Sequence, residues 1–201
     1  MMFDASGNGY YGHPTAGAKY TAYSIPSGGR GYDGFAYDSS GGSMIQFYDV
    51  QDIIKRSNNF SIWCRVRMNS KQTTEANIIE KNMTNGFSLK YLATGKLECT
   101  VGGMMGKYSN WLLDGSGPTI ENDNTTWHDY GLSIQKEANT KTLARIYMDG
   151  KIVKTAEYMS SVNTNGWLLF GSTAALYDRV AYYDGVLDLD GFKALSDGGT
   201  L

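Results

Sequence analysis

One pair of residues, Asp149 and Gly150, constrains the fold of this 201-residue chain more than any other feature. The pair lies inside the stretch 145–153, between apolar residues that alternate with polar ones. Both residues of such a two-residue turn adopt a positive φ, and the turn then has the twist of two paired antiparallel strands. The sequence therefore predicts a β-hairpin and, with it, an antiparallel β protein.

The composition is typical of many short strands joined by turns. The chain has 25 glycines, 3 prolines, 15 tyrosines, 7 phenylalanines and 4 tryptophans, and aromatic residues favour strands whereas glycine favours turns. A chain of 201 residues can bury one substantial core, and all-β domains commonly have this length. We therefore predict one domain that spans residues 1–201.

Charge and hydropathy argue against nucleic acid binding and against membrane insertion. The formal net charge is -2, the pI is about 5.7, and no run of lysine or arginine is longer than two residues. Such a chain lacks the basic surface that nucleic acid binding requires. Residues 1–7 have neither a basic nor an apolar signal region, and no segment has the length of a membrane span. We expect a soluble, unsecreted protein with no membrane insertion.

Alternating apolar residues between turn residues predict ten strands, at 43–48, 60–68, 77–81, 87–93, 96–101, 127–135, 142–148, 151–157, 167–171 and 179–183. A helix or turn is predicted at 50–56 and a short helix at 189–196. Residues 4–42 are interpreted as loops and short edge strands. Residues 102–126 are interpreted as a long irregular segment, and loops of that length in a compact domain are often functional.

The phase of the strands predicts which side chains form the core. We expect Val153 to pair with Ile146 across the hairpin, on the same side of the sheet. Cys64 and Cys99 also lie on the apolar phase of their strands, which favours two buried reduced thiols over a disulfide. Two further inward rows are expected, namely Tyr130, Leu132 and Ile134 in one strand and Ala144, Ile146 and Met148 in another. Burial contributes about 1.5 to 3 kcal/mol for each such side chain.

Several short motifs follow one another in a recognisable order. Residues 4–9 read Asp-Ala-Ser-Gly-Asn-Gly, and residues 60–66 read Phe-Ser-Ile-Trp-Cys-Arg-Val. The others lie at 34–41, 78–81, 86–89, 95–97, 127–128, 147–151 and 176–183. In this order they resemble the laminin G-like branch of the concanavalin A-like lectin and glucanase domains. The resemblance covers residues 4–195 and implies a jelly-roll sandwich of two antiparallel sheets that acts as a recognition or adhesion module.

The resemblance also implies a structural Ca²⁺ ion. Asp4, with Ser6 or Asn8 nearby, and Asp178 match the family's metal positions. Calcium takes six to eight oxygen ligands, and backbone carbonyls of a glycine-containing loop can supply those that side chains do not. The alternative is that Asp4 and Asn8 form Asx-type turns, and that Asp178 binds neighbouring backbone, without an ion.

The chain lacks the motifs of the common hydrolases. Glucanases with this sandwich use a Glu-x-Asp-x-(x)-Glu arrangement for nucleophile and general acid, and none of the six glutamates fits it. No Gly-x-Ser-x-Gly motif is present. His128 shares the phase of Tyr130 and is interpreted as a structural histidine, and His13 has no neighbouring nucleophile. Two cysteines and two histidines also make a poor zinc site. We expect no catalysis.

A ligand surface is predicted in the long segment 102–126. Tyr108, Asn110, Trp111 and Asp114 combine aromatic rings, on which sugars stack, with polar groups that bind hydroxyls. A second possibility is the tyrosine-rich opening, with Tyr10, Tyr11, Tyr20, Tyr23 and Tyr32. The alternatives are that these rings cover the ends of the core, or that they contact a protein partner.

These observations lead to a functional hypothesis. We expect a non-enzymatic recognition or decoration module, made in a host cytoplasm and displayed on a phage virion as a capsid decoration or as part of a tail or fibre. Its partner is a glycan or a virion or surface protein, and a homo-oligomer is possible. One alternative is a carbohydrate-binding or adhesion module of an extracellular bacterial surface protein or glycoside hydrolase. Another is a glycosidase with an atypical site.

Overall fold

The architecture is taken from a computed structural model that describes residues 13–14, 19–22, 35–39, 44–47, 59–68, 75–81, 86–101, 110–119, 126–137, 141–158, 168–171 and 175–197. These residues form 14 strands and one helix. The strands are β1 His13–Pro14, β2 Lys19–Ala22, β3 Phe35–Asp38, β4 Met44–Phe47, β5 Phe60–Met68, β6 Ala76–Lys81, β7 Phe87–Tyr91, β8 Lys96–Val101, β9 Asn110–Thr119, β10 His128–Lys136, β11 Thr142–Met148, β12 Lys151–Tyr158, β13 Leu168–Gly171 and β14 Ala175–Tyr183, and the helix is α1 Leu189–Ser196.

The strands form two seven-stranded antiparallel sheets that pack face to face. The first sheet has the order β1-β4-β13-β6-β7-β8-β9, and the second has the order β12-β11-β10-β5-β14-β3-β2. Apolar side chains from both sheets fill the space between them, including both inward rows predicted from the sequence. This arrangement confirms the predicted antiparallel jelly-roll sandwich. Cys64 and Cys99 are buried and free, as predicted.

Most element boundaries agree with the sequence prediction, because alternation is a local signal. Strands β5, β8 and β11 and helix α1 have the predicted bounds. Strand β14 begins at Ala175, four residues earlier than predicted, because Ala175 and Tyr177 are buried in the core. The predicted segment 50–56 lies outside the described residues, and the extent of the domain stays a prediction. Among the described residues, no helix combines the length and hydropathy needed to cross a bilayer.

The segment predicted to be irregular at 102–126 contains the ten-residue strand β9, so that prediction was wrong in this part. Gly115, Gly117 and Pro118 are typical of turns and hide the strand in the sequence. Among the described strands, β9 is at the edge of the first sheet and pairs with β8 alone. An edge strand tolerates proline and glycine, because one side of its backbone makes no ladder hydrogen bonds.

The predicted hairpin is present, but its register differs from the prediction. Asp149 and Gly150 have φ values of 46° and 82°, as the predicted turn requires. Ile146 pairs with Lys154 rather than with Val153, because a β-bulge follows in this ladder before Tyr147 pairs with Ile152. The extra residue of the bulge is Val153, which still packs against the core.

A third layer lies on the outer face of the second sheet. Helix α1 buries Phe192 and Leu195 against Trp63, Tyr147 and Leu187. The side chain of Asp188 caps the helix by accepting a hydrogen bond from the backbone N–H of Gly191. The second sheet therefore packs against the first sheet on one face and against α1 on the other.

Candidate functional site

Three of the four predicted ligand-binding residues lie on strand β9, at the edge of the first sheet. Asn110 is in register with Val101, Trp111 with Thr100, and Asp114 with Glu98. Tyr108 lies outside the described residues. The backbone therefore brings these three positions together beside strand β8, although the sequence analysis placed them in a loop.

The strands next to β9 carry polar side chains on the outer face of the first sheet. Leu89 and Cys99 point into the core, so the residues that alternate with them on β7 and β8 lie on the opposite face. On β6, Asn77 and Glu80 are the two positions that are less buried than their neighbours. We call six side chains of β6, β7 and β8 the polar face: Asn77, Glu80, Ser88, Lys90, Glu98 and Thr100. The sequence analysis missed them, although the polar phase of each predicted strand contained the signal.

Strand pairing arranges these residues in two rows that cross β6, β7, β8 and β9. The first row contains Glu80, Ser88, Thr100 and Trp111, and the second contains Asn77, Lys90, Glu98 and Asp114. Neighbouring strands in a sheet lie about 4.8 Å apart, so each row places a hydrogen-bonding group or an aromatic residue at regular intervals. Both rows end at a residue that the sequence analysis selected.

Hydrogen bonds and ion pairs connect the members of each row. The hydroxyl oxygens of Ser88 and Thr100 are 2.8 Å apart. Lys90 Nζ is 3.7 Å from Glu98 Oε1. Between the rows, the side-chain amide of Asn77 donates to the carboxylate of Glu80. The side chains are therefore positioned before any ligand arrives.

The ion pair of the second row is partly removed from water. The side chains of Lys90 and Glu98 are 19% and 14% exposed. Burial raises the pKa of the Glu98 carboxyl, the nearby Glu75 carboxylate raises it further, and Lys90 opposes both effects. Charged groups in such a setting form stronger hydrogen bonds than they do in water. The polar face can therefore bind the hydroxyl groups of a polar ligand with oriented donors and acceptors.

Of the three predicted metal ligands, only Asp178 lies in the part of the chain that the structure describes. It occupies a β-bulge of β14 between Tyr177 and Arg179. Its carboxylate is 1% exposed, with Oδ2 3.9 Å from Nε of Arg179. Within the described ranges, no three His, Cys, Asp or Glu side chains form a group that could hold a metal ion. Asp4 and Asn8 lie outside those ranges, so the calcium site stays a prediction.

His128 has the environment predicted for a structural histidine. It is buried, and its Nδ1 is 2.7 Å from Oδ2 of Asp149 in the hairpin turn. Oδ1 of Asp149 accepts the backbone N–H of Asp129 at 2.8 Å. His128 therefore fixes the turn to the start of β10. His13 lies on β1, where the structure describes the backbone.

Comparison with known proteins identifies a family and a set of similar structures. A model of the concanavalin A-like lectin/glucanases superfamily, of the laminin G type, matches residues 39–189. A search of curated proteins found no match.

The similar structures include binding domains of botulinum neurotoxins. The binding domain of botulinum neurotoxin DC in complex with rat synaptotagmin II has a TM-score of 0.69 at 15% identity, over 97% of this chain and 48% of that one. The same domain in complex with SialylT has a TM-score of 0.68 at 15% identity, over 97% and 48%. Botulinum neurotoxin type C, whose cell entry depends on two ganglioside molecules, has a TM-score of 0.67 at 15% identity, over 98% and 48%. This chain spans about half the length of those proteins, and at such identity the likeness shows the fold alone.

Proposed function

Since this chain belongs to the concanavalin A-like lectin/glucanases superfamily, we propose that it is a non-enzymatic recognition module that binds a glycan on the polar face of its first sheet. The observation that carries this proposal is the pair of rows that cross β6 to β9. A sugar presents hydroxyl groups at its rim and apolar C–H groups on its faces. The rows offer hydroxyl, amide and charged groups for the rim, and strand pairing places an aromatic residue, Trp111, in register with Thr100 at the end of one row.

Binding without turnover agrees with the way the carboxylates of the polar face are engaged. Retaining glycosidases need one carboxylate free to attack and a second carboxyl that donates a proton. Here Glu98 is paired with Lys90, and Glu80 accepts from Asn77. Because the superfamily includes glucanases, turnover is an outcome that the experiment must be able to detect.

A glycan array with wild type and matched variants tests the proposal. Ser88→Ala combined with Thr100→Val removes both partners of one hydrogen bond, a change that is often nearly neutral for stability. We expect this double variant to bind the selected glycan about tenfold more weakly, since it loses two hydroxyl groups. Trp111→Ala should weaken binding by a similar or larger factor. Thr155→Val, on the exposed edge strand β12 of the second sheet, is the control and should bind like wild type.

Three results would contradict the proposal. They are the absence of glycan binding by the wild-type protein, an equal loss in Thr155→Val, and the release of reducing sugar from any bound polysaccharide. The last result would support the glycosidase alternative instead.

We also propose that the protein is a phage virion component that displays this module on a capsid, tail or fibre. Two buried reduced thiols support synthesis in a reducing cytoplasm. Mass spectrometry of purified particles should find the chain at a fixed ratio to the major capsid or tail protein. Recovery from the bacterial surface or medium, and absence from particles, would favour the bacterial surface module.

A structural Ca²⁺ ion held by Asp178 together with Asp4 and Asn8 is part of the proposal. Asp178 is a buried carboxylate, and an ion would offset its charge. Calcium at a hundred times its dissociation constant should stabilise the fold by about 2.7 kcal/mol, which calorimetry with calcium and with EDTA would detect. Asp178→Asn should remove this shift, and Asp190→Asn on the exposed first turn of α1 should keep it. Equal melting temperatures of the wild type in calcium and in EDTA would exclude the ion.

A further inference from the structure

Two arginines on β5, Arg65 and Arg67, lie on the outer face of the second sheet and differ in their surroundings. Arg65 is in register with Asp129 of β10 and binds it with two hydrogen bonds, from Nε to Oδ1 and from Nη2 to Oδ2, each 2.8 Å long. Continuing the same register by two residues places Trp127 opposite Arg67. The guanidinium of Arg67 lies over the indole ring, with Cζ 5.2 Å from the ring centroid. Where Arg65 meets a carboxylate, Arg67 meets an aromatic ring.

Arg67 has no acidic partner among the described residues. Its Nε is fully buried without a hydrogen-bond acceptor. On the other neighbouring strand, β14, the residue in register with Arg67 is the buried Leu176. Two carboxylates on this side of β5 are engaged elsewhere, since Asp129 binds Arg65 and Asp149 binds His128. On the other side, Asp38 lies one strand further away, in register with Leu176. Within the described ranges, Arg67 is thus a half-buried cation with no counter-ion.

This arrangement is suited to an external carboxylate. Stacking on Trp127 holds the guanidinium in one orientation. Because Nε is buried, a carboxylate that binds this guanidinium with two hydrogen bonds would accept them from the two terminal nitrogens. A planar guanidinium binds a carboxylate with two parallel hydrogen bonds. Such bonds are strongest where the cation is partly desolvated, because fewer competing waters surround it.

We propose that Arg67 and Trp127 form a binding site for the carboxylate of an acidic sugar, on the sheet opposite the polar face. The inference rests on the proposed glycan-binding function for the class of ligand and adds a second site with a charge requirement. Arg67 binds the carboxylate. The indole of Trp127 orients Arg67 and supplies an apolar edge for the sugar ring.

Isothermal titration with charged and neutral oligosaccharides tests this site. The probes are oligosaccharides of glucuronate, galacturonate and N-acetylneuraminate, each compared with a neutral counterpart of equal length. We expect wild type to bind at least one acidic probe more tightly than its neutral counterpart, with an affinity that falls as salt rises. Arg67→Gln should weaken that binding by about tenfold or more, the range for a hydrogen bond to a charged group. Arg67→Lys should bind with intermediate affinity, because it keeps the charge and loses the planar edge.

The matched control is Arg145→Gln, which removes the same charge from the same face of the second sheet. Arg145 donates to Gln135 at 3.1 Å, away from Trp127. The Arg145→Gln variant should bind the acidic probe like wild type. An equal loss in both variants, equal binding of charged and neutral probes, or no binding of any acidic probe would overturn the site. Neutral glycan binding should persist in Arg67→Gln and weaken in the Ser88→Ala and Thr100→Val double variant, so the two proposals can fail separately.

Discussion

Lys81 places an amine between the two sheets. It is 2% exposed, and its register partners Phe87 and Leu168 both belong to the core. Burial lowers the pKa of Lys81 to about 8, because the charged form loses its hydration. In the unfolded chain the amine has its ordinary pKa of 10.5. Protonation of Lys81 at neutral pH therefore favours the unfolded chain over the folded one.

The first prediction is a rise in stability at alkaline pH that depends on Lys81. Between pH 8 and 10.5 the unfolded chain binds more protons than the folded one, so the free energy of unfolding increases with pH. From pH 7 to pH 10 this group should add about 2.5 kcal/mol, at 1.36 kcal/mol for each pKa unit. Urea unfolding at several pH values measures the rise. Lys81→Met should reduce the rise by that amount, and an identical pH profile in this variant would contradict the assignment.

The second prediction concerns Gly131 on β10, which lies directly beneath helix α1. A Cβ atom at this position would clash with Cε1 of Phe192, and that ring is fully buried and stacked on Tyr147 with the ring centroids 4.9 Å apart. Gly131→Ala should therefore lower the free energy of unfolding by about 1–3 kcal/mol, the usual cost of overpacking. Denaturant titration measures the loss.

A smaller side chain should relieve the clash at Gly131. We expect Gly131→Ala combined with Phe192→Leu to be more stable than the sum of the two single changes predicts. Strict additivity would show that the helix and the glycine do not interact. At the residue scale, neither this close approach nor the burial of Lys81 is visible in the sequence, because both depend on which element packs above the strand.

Two arginines fix the C-terminal end of helix α1 to the second sheet. Arg65 Nη2 donates to the carbonyl of Ser196 at 2.6 Å, and Arg179 Nη2 donates to the carbonyl of Leu195 at 2.8 Å. Cations near the end of a helix also interact favourably with its dipole. Cζ of Arg179 lies 5.0 Å from the ring centroid of Trp63 as well.

The third prediction is that Arg179→Gln loosens the helix without disturbing the sheets. The variant loses the charged hydrogen bond to Leu195, the cation–π contact with Trp63 and the 3.9 Å ion pair with Asp178, so it should be less stable by about 1–3 kcal/mol. Hydrogen exchange should accelerate for the amides of α1 and stay unchanged for those of β11, because local opening of one element leaves the others protected. Lys193→Gln, exposed in the last turn, is the control. Faster exchange throughout the chain would contradict a local role.

The bounds of α1 could be predicted from the sequence, whereas the contacts that hold α1 on the second sheet could not. A polar N-cap and two spaced apolar residues are local features, and they predicted 189–196 correctly. Arg65 is 131 residues from the carbonyl that it binds. A contact at that separation depends on how β5 and the helix meet in the folded molecule.

Packing of the two sheets against each other buries both cysteines. Cys64 lies on β5 of the second sheet and Cys99 on β8 of the first, and both are fully buried. Burial raises the pKa of each thiol well above its ordinary value, with smaller contributions from Asp129 at Cys64 and from Glu98 at Cys99. Thiolate is the reactive form, so both burial and charge suppress reaction.

The fourth prediction is that neither thiol of the folded protein reacts with Ellman's reagent at pH 8. Since the raised pKa leaves less thiolate than usual at this pH, the thiols should react only after the two sheets separate. In urea above the unfolding midpoint, two thiols should react for each chain. Single Cys→Ala variants identify which thiol reacts. Rapid reaction of one thiol in the folded protein would show that its sheet opens separately.

Local sequence patterns account for most strands, the Asp149-Gly150 turn and the burial of the cysteines, because alternation and turn chemistry act between neighbours in the chain. Packing between distant segments accounts for the other features. It made β9 an edge strand despite its glycines and proline, moved Val153 into a bulge, and aligned the polar face with Trp111 and Asp114. It also set Arg67 on Trp127. These outcomes depend on strand pairing and packing between distant segments, which no local pattern encodes.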